Sequence, residues 1–287
     1  MKSLLTLLLL GFFFYVTAQI PETDDKTKIL GADAKSQDIG SLAVLVQTST
    51  GSGSGFYIDD TSHSLYFVTA CHVLVNPQTK IPYSDLILLI SYKKNSQTDG
   101  KDSFQISLSQ ATKMGQFKYD VQKDIAVIKF ATSNNRRISY LPFVYKITST
   151  NTYLNQFSLS EAKKIDELVT MTDIFTIGFP KSLSLTLNFD YSRPLIRKGI
   201  IAGIDLITNK IIADCPVYQG NSGGAVYEIG IRDNVLKIIG VVSQFVPFEE
   251  HLRSEAYGYT NINITNSGYA VIVPINSVID LIQSLKK

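Results

Sequence analysis

Histidine is scarce in this chain: among 287 residues there are three, His63, His72 and His251. Any acid–base chemistry near neutral pH therefore has few candidate bases. Cysteine is scarcer still. Cys71 and Cys215 stand alone, which excludes a disulfide-rich secreted scaffold, and each lies in an apolar run where a free thiol behaves as a small hydrophobe. Charged residues make up 18% of the chain, and no basic cluster stands out. Nucleic acid and anionic membrane therefore find no support as partners. No metal or cofactor is called for. Beyond residue 18, no apolar run is long enough to cross a bilayer. At 45% apolar residues the composition suits a β-rich globular protein with one or two cores.

The N-terminus has the pattern of a targeting segment. Met1-Lys2 supplies a short positive start, Leu4 to Val16 an apolar stretch, and Val16-Thr17-Ala18 a small-x-small cleavage pattern. Residues 1–18 read as a signal peptide, with a short membrane anchor as the competing reading. Cleavage after Ala18 would leave Gln19 as the mature start, and no cysteine follows for lipid attachment. The expected location is secreted or periplasmic, with no membrane partner after cleavage. Losing Lys2, the one charged residue in 1–18, lowers the net charge from +2 to +1. Residues 19–37 form a polar, aperiodic leader.

From there the chain reads as strands. Six runs rich in Val, Ile, Leu and Tyr occur near 42–48, 53–58, 65–70, 85–92, 103–110 and 124–130, separated by turn-forming clusters. Residues 133–168 lose the pattern, with Ser160 to Lys164 suited to one helical turn or two. Six more runs follow near 174–179, 196–205, 210–215, 224–229, 236–245 and 269–274. The organisation is a first half over 38–145, a crossing over 146–170 and a second half over 171–287. Val278, Ile279, Leu281, Ile282 and Leu285 have helical spacing, with Asn276 or Ser277 as the N-cap. This predicts a C-terminal helix packed on the second half.

Three short segments carry chemistry. Gly220-Asn221-Ser222-Gly223-Gly224 frames a serine with glycines, which permit a tight turn and leave main-chain N–H groups free to face a developing oxyanion. Tyr66 to Val73 is an apolar strand with a histidine at its end. Asp124 opens the run Ile125 to Phe130. Base, orienting acid and nucleophile each have a suitable setting. The glycine-serine segment also fits the G-x-S-x-G pattern of α/β-hydrolases, but those place acid and histidine after the serine. Here the order is His72, Asp124, Ser222, and no amphipathic helices alternate with the strands.

Thr69-Ala70-Cys71-His72, Asp124-Ile125-Ala126-Val127-Ile128 and Gly220 to Gly224 together resemble the trypsin-like serine peptidases. Gly53-Ser54-Gly55-Phe56, Gly240-Val241-Val242-Ser243 and Tyr269 to Ile275 add to the resemblance. It spans roughly residues 38 to 287 and comes closest to the bacterial high-temperature-requirement and glutamyl endopeptidase branch. It implies an all-β fold of two six-stranded antiparallel β-barrels (chymotrypsin-like) with a C-terminal α-helix, and no room for a C-terminal peptide-binding (PDZ) module. It also implies an endopeptidase acting on polypeptide substrates. His72 would be the base, Asp124 its orienting acid and Ser222 the nucleophile, with the N–H groups of Gly220 and Ser222 as oxyanion hole. Ser243 would support Asp124, and the main chain of Ser243 to Phe245 would pair with extended substrate.

The chain departs from the family at several of these positions. Gln244 and Phe245 differ from common family residues, and Pro216 stands where trypsins carry an acid, which removes the electrostatic basis for a Lys or Arg preference. Asn221 offers no counter-charge to an inserted N-terminal ammonium, so activation by such insertion is not expected. The resemblance leaves a Cys71–Cys215 bridge open. A catalytically silent binding protein with a protease fold is the alternative.

Overall fold

The structure is a computed structural model describing residues 39–94, 99–134, 137–148, 154–181, 193–230, 235–254 and 258–286. The signal and leader expected over residues 1–37 lie outside these. In the first half, β1 (Ala43–Gln47), β2 (Ser52–Asp59) and β3 (Ser64–Thr69) lead into a single helical turn, α1 (Cys71–Leu74). Then come β4 (Leu86–Lys94), β5 (Asp99–Ser107), α2 (Leu108–Lys113), β6 (Phe117–Asp120), β7 (Ile125–Asn134), β8 (Arg137–Tyr140) and β9 (Val144–Thr148). A short β10 (Phe157–Ser158) pairs parallel to β2 on the way to the second half. That half contains β11 (Asp173–Gly178), β12 (Leu195–Asp205), β13 (Lys210–Asp214), β14 (Ala225–Ile229), β15 (Leu236–Ser254), β16 (Tyr259–Pro274) and α3 (Ile275–Leu285).

The first sheet runs β6-β7-β3-β2-β1-β4-β5-β9, with β10 added on β2 and β8 on β7. Its central strands show no polar alternation because both faces are buried. Val44, Val46, Tyr57, Leu65, Phe67, Ile128 and Phe130 point into the first core. Their neighbours Ala43, Leu45, Phe56, Ile58, Tyr66, Val68, Ile125 and Val127 point the other way, into a core shared with Ile177, Tyr227, Val241 and Val278 of the second half. The alternation of period two is intact; each strand divides it between two cores. The second sheet closes into a barrel, β11-β12-β13-β16-β15-β14, around Ile174, Ile201, Ile211, Val226, Ile239 and Ile272. The result is the all-β, chymotrypsin-like arrangement with a C-terminal helix.

Several details differ from the sequence reading. All six runs of the first half are strands, but β6, β8, β9 and β10 enlarge the sheet to ten, and its path is open where the second closes. The run at 103–110 stops at Ser107, whose hydroxyl accepts from Gln110 N–H and starts α2. Ser160 to Lys164 contributes the end of one 3-10 turn, Leu159–Glu161, and the N-cap, Lys164, of a second, Ile165–Glu167. The N-cap of α3 is Pro274, neither Asn276 nor Ser277. Asn276 instead accepts from Ile165 N–H at 3.0 Å, and Ser277 is buried. The helix does not pack on the second half alone: Ile275, Val278 and Ile282 enter the shared core, and Lys123 pairs with Asp280 at 3.2 Å. β15 and β16 run well past the expected ends as an exposed hairpin. Cys71 and Cys215 are free thiols buried in separate cores, so no bridge joins them.

Candidate active site

β3 ends at Thr69, and the chain turns into α1, whose second residue is His72. Asp124 sits immediately before β7 in the left-handed region, at φ 57°. Asp tolerates this conformation better than most residues. The turn ahead of it is organised by Asp120, whose Oδ1 accepts from the N–H groups of Gln122 and Lys123. The Asp124 carboxylate then receives His72 twice. His72 N–H donates to Oδ1 at 3.0 Å, while Nδ1 lies 3.0 Å from Oδ1 and 2.9 Å from Oδ2. Ser243 Oγ donates to Oδ2 at 2.5 Å. Burial alone would raise the Asp124 pKa, but the bonds and charge of His72 and the Ser243 hydroxyl outweigh it and hold the carboxyl below its ordinary range. Asp124 thus stays an anion on the Nδ1 side of the ring. His72 Nε2 has no hydrogen-bond partner among the described residues, and its side chain is 38% exposed.

Ser222 reaches this place through bare backbone. Its carbonyl accepts from Ser54 N–H at 2.8 Å on β2. A Cβ at Gly53 would lie 2.7 Å from Val73 and 3.1 Å from Ser222 O. A Cβ at Gly223 would meet Ser54 O at 2.1 Å, Thr69 Oγ1 at 2.2 Å and Ala70 N at 2.8 Å. The serine loop therefore lies directly on the end of the strand that delivers His72. Ser222 is half-buried, and its Oγ has no hydrogen bond among the described residues.

Within Gly220 to Gly224, three of the five N–H groups are occupied. Asn221 donates to Tyr218 O at 2.9 Å, Gly223 to Val242 O at 2.7 Å and Gly224 to Asn221 O at 2.9 Å. Gly220 and Ser222 N–H have no partner among the described residues. Two unpaired donors, one on the serine itself and one two residues before it, are what an oxyanion would require. Asn221 is buried, its Oδ1 accepting from Tyr218 N–H at 3.2 Å.

Beside the loop, Cys215 to Val217 is fastened to β16 by Cys215 N–H on Gly268 O at 3.1 Å and by Asn266 Nδ2 on Val217 O at 2.6 Å. Pro216 is half-buried between them. Phe245 packs on the core group that holds Cys215 and Val217, while Gln244 faces solvent. β15 pairs with β14 only as far as Val241; past Val242 that edge carries no strand among the described residues. Burial pushes the Cys71 thiol up to about 12, so it is no competing nucleophile. Asn266 escaped the sequence reading and gave no signal, whereas Ser54 stood in the quoted segment Gly53-Ser54-Gly55-Phe56 with no role of its own assigned.

Among solved structures, the chain resembles a thermostable serine protease, AL20, from an extremophilic microorganism (12% identity, TM-score 0.45, covering 82% of this chain and 91% of that one). It also resembles the protease Anisep from Arthrobacter nicotinovorans (12%, 0.43, 81% and 88%) and a serine protease of human pathogenic astrovirus (15%, 0.38, 83% and 93%). No curated protein sequence matches it. The trypsin-like peptidase domain model matches residues 53–230, well over half of the sequence, and the chain belongs to that family.

Proposed function

We propose that this protein is a secreted or periplasmic serine endopeptidase that cuts polypeptides through an acyl-enzyme. The observation that carries the reading is the hydrogen-bonded chain Ser243–Asp124–His72, lying against a serine loop with two unpaired N–H groups. Ser222 Oγ attacks the peptide carbonyl carbon while His72 Nε2 takes its proton. The carbonyl electron pair moves onto oxygen, facing Gly220 and Ser222 N–H. Collapse breaks the C–N bond, and His72 returns the proton to the leaving amine. Water then repeats the sequence on the ester. Asp124 holds the ring with Nδ1–H inward and stabilises the imidazolium.

The edge of β15 from Ser243 to Phe245 suits an extended substrate, added as a strand. Pro216 offers no counter-charge to a cationic side chain, so Lys and Arg are not favoured at the cleaved position. The loop needs no inserted ammonium, because Asn221 is neutral and bonded locally. Export rests on the pattern in residues 1–18, and the resemblance to the high-temperature-requirement and glutamyl endopeptidase branch rests on the short motifs around Ser54, His72 and Ser222.

The test is Ser222→Ala, measured by peptide turnover and by labelling with a peptidyl phosphonate. Turnover should fall by about four or more orders of magnitude with the fold intact. His251→Ala, in the exposed hairpin beside Glu249 at 3.7 Å, should leave turnover unchanged. Near-normal turnover in Ser222→Ala would overturn the assignment.

A further inference from the structure

Ser54 lies entirely inside the protein, 168 residues from Ser222, and carries no charge that could act on a substrate. It nevertheless grips the serine loop at two carbonyls. Its N–H donates to Ser222 O at 2.8 Å, and its Oγ donates to Gly220 O at 2.6 Å. The hydroxyl proton has only one place to go. Phe179 N–H, at 2.9 Å from Oγ, can only donate, and Gly220 O can only accept. The Ser54 carbonyl in turn accepts from Thr69 Oγ1 at 2.7 Å, three residues before His72. One residue thus links the strand of the base to both ends of the Gly220–Ser222 segment.

This grip bears on the two unpaired N–H groups. A trans peptide points its N–H away from its C=O, so fixing one fixes the other. Lys181 N–H holds Gln219 O at 2.8 Å, which sets the direction of Gly220 N–H. Gly224 N–H holds Asn221 O, which sets the direction of Ser222 N–H. Between these planes lies the Gly220–Asn221 peptide, and its carbonyl is the one Ser54 Oγ holds. Gly220 has φ 96°, a region open to glycine, so its own torsions resist rotation weakly. The N–H of that same Gly220–Asn221 peptide, on Asn221, is held by Tyr218 O at 2.9 Å, so the plane has two anchors. Without the hydroxyl, the mutual angle of the two donors rests on the Asn221–Tyr218 bond alone and loosens.

We propose that Ser54 is a positioning residue for the oxyanion site, acting through the Gly220 carbonyl rather than on substrate. This rests on the peptidase reading above. The rival account is that the hydroxyl merely satisfies two buried backbone groups, which would affect stability and nothing else.

A peptidyl trifluoromethyl ketone carrying 13C at its carbonyl separates the two. Ser222 Oγ adds to that carbon, the π pair becomes an oxyanion, His72 takes the proton, and the 13C shift titrates with the oxyanion. In Ser54→Ala the oxyanion pKa should rise by about one unit, with kcat lowered about 10- to 100-fold and KM changed less than about threefold. Ser54→Cys fills the same space with a weak donor and should fall between; it carries the test if the alanine variant does not fold. A lowered melting temperature with oxyanion pKa and kcat both at wild-type values would overturn the proposal. Wild-type protein that forms no adduct would instead overturn the peptidase reading and take this inference with it.

Discussion

Two glycine-bearing segments of the second half make opposite demands on their surroundings. In the serine loop, a Cβ at Gly220 would stand 2.2 Å from Phe179 O, at Gly223 2.1 Å from Ser54 O and at Gly224 2.3 Å from Ile177 O. In the outer hairpin of β15 and β16, Gly258 and Gly268 have positive φ too, yet a Cβ there would meet nothing within 4 Å. Glycine serves torsion alone in the hairpin. In the loop it serves torsion and space together, because backbone from β2, β11 and β15 closes on it from every side. Bare backbone that is also packed is what holds two N–H groups in place without a partner of their own.

The largest effect that would break this contrast is Gly223→Ala. The added methyl must displace Ser54 O and Thr69 Oγ1, and φ 88° strains an L-residue besides. We expect a loss on the order of 3–5 kcal/mol in denaturant unfolding and no phosphonate labelling. Gly258→Ala should cost about 1–2 kcal/mol, from torsion alone, and label normally. Equal losses in the two variants would show that the loop is not the tighter place.

The turn between β2 and β3 lies between these extremes and sharpens the comparison. It is organised by one buried carboxylate, Asp60, which accepts from Ser62 and Ser64 N–H, the Ser62 and Tyr66 hydroxyls, and Lys286 at 2.8 Å just after α3. Burial would raise its pKa, but these partners, Lys286 foremost, outweigh it and hold it at about 2. Because the folded value lies below the ordinary 3.8, the unfolded chain binds more protons between those values, and stability rises with pH there. The contribution, about 2 kcal/mol, is complete above pH 4 and lost as pH falls toward 2. Asp60→Asn should therefore lower stability at pH 7 and narrow its gap to wild type at pH 2. A gap independent of pH would show that hydrogen bonding, not charge, holds the turn.

These differences explain what could be read from the amino-acid sequence. His72, Asp124 and Ser222 were singled out because acid–base and nucleophilic chemistry needs such residue types in such settings, and Ser243 through the resemblance; the structure brings His72, Asp124 and Ser243 into hydrogen-bond contact. The central strands were legible from apolar runs, although not why they lacked polar alternation: nothing local says that Leu65 and Tyr66 serve different cores. β6 escaped because its four residues, Phe117 to Asp120, mix two aromatics with a lysine and an aspartate and bury only Phe117. The Pro274 cap escaped because Asn276, a good capping residue, is used by Ile165, 111 residues away. Ser54 stood within a quoted motif, yet its task depends on Phe179 and Gly220, which only the fold brings to it.

The outer hairpin provides the smallest effect. Ile262 and Ile264 lie opposite His251 and Glu249 and are 53% and 60% exposed. Apolar side chains there contribute through cross-strand contact, worth a fraction of a kcal/mol, because no second layer covers either face among the described residues. Replacing both by threonine keeps the β-branched shape and strand preference and exchanges the ethyl group of each for a hydroxyl. We expect unfolding free energy to change by no more than about 1 kcal/mol, with unaltered turnover of short peptides that fill only the edge from Ser243 to Phe245. The measurement is denaturant unfolding beside kcat/KM on one short substrate. A loss of turnover at unchanged stability would mean that the hairpin reaches the reacting site, and the division between a packed loop and a free hairpin would fail.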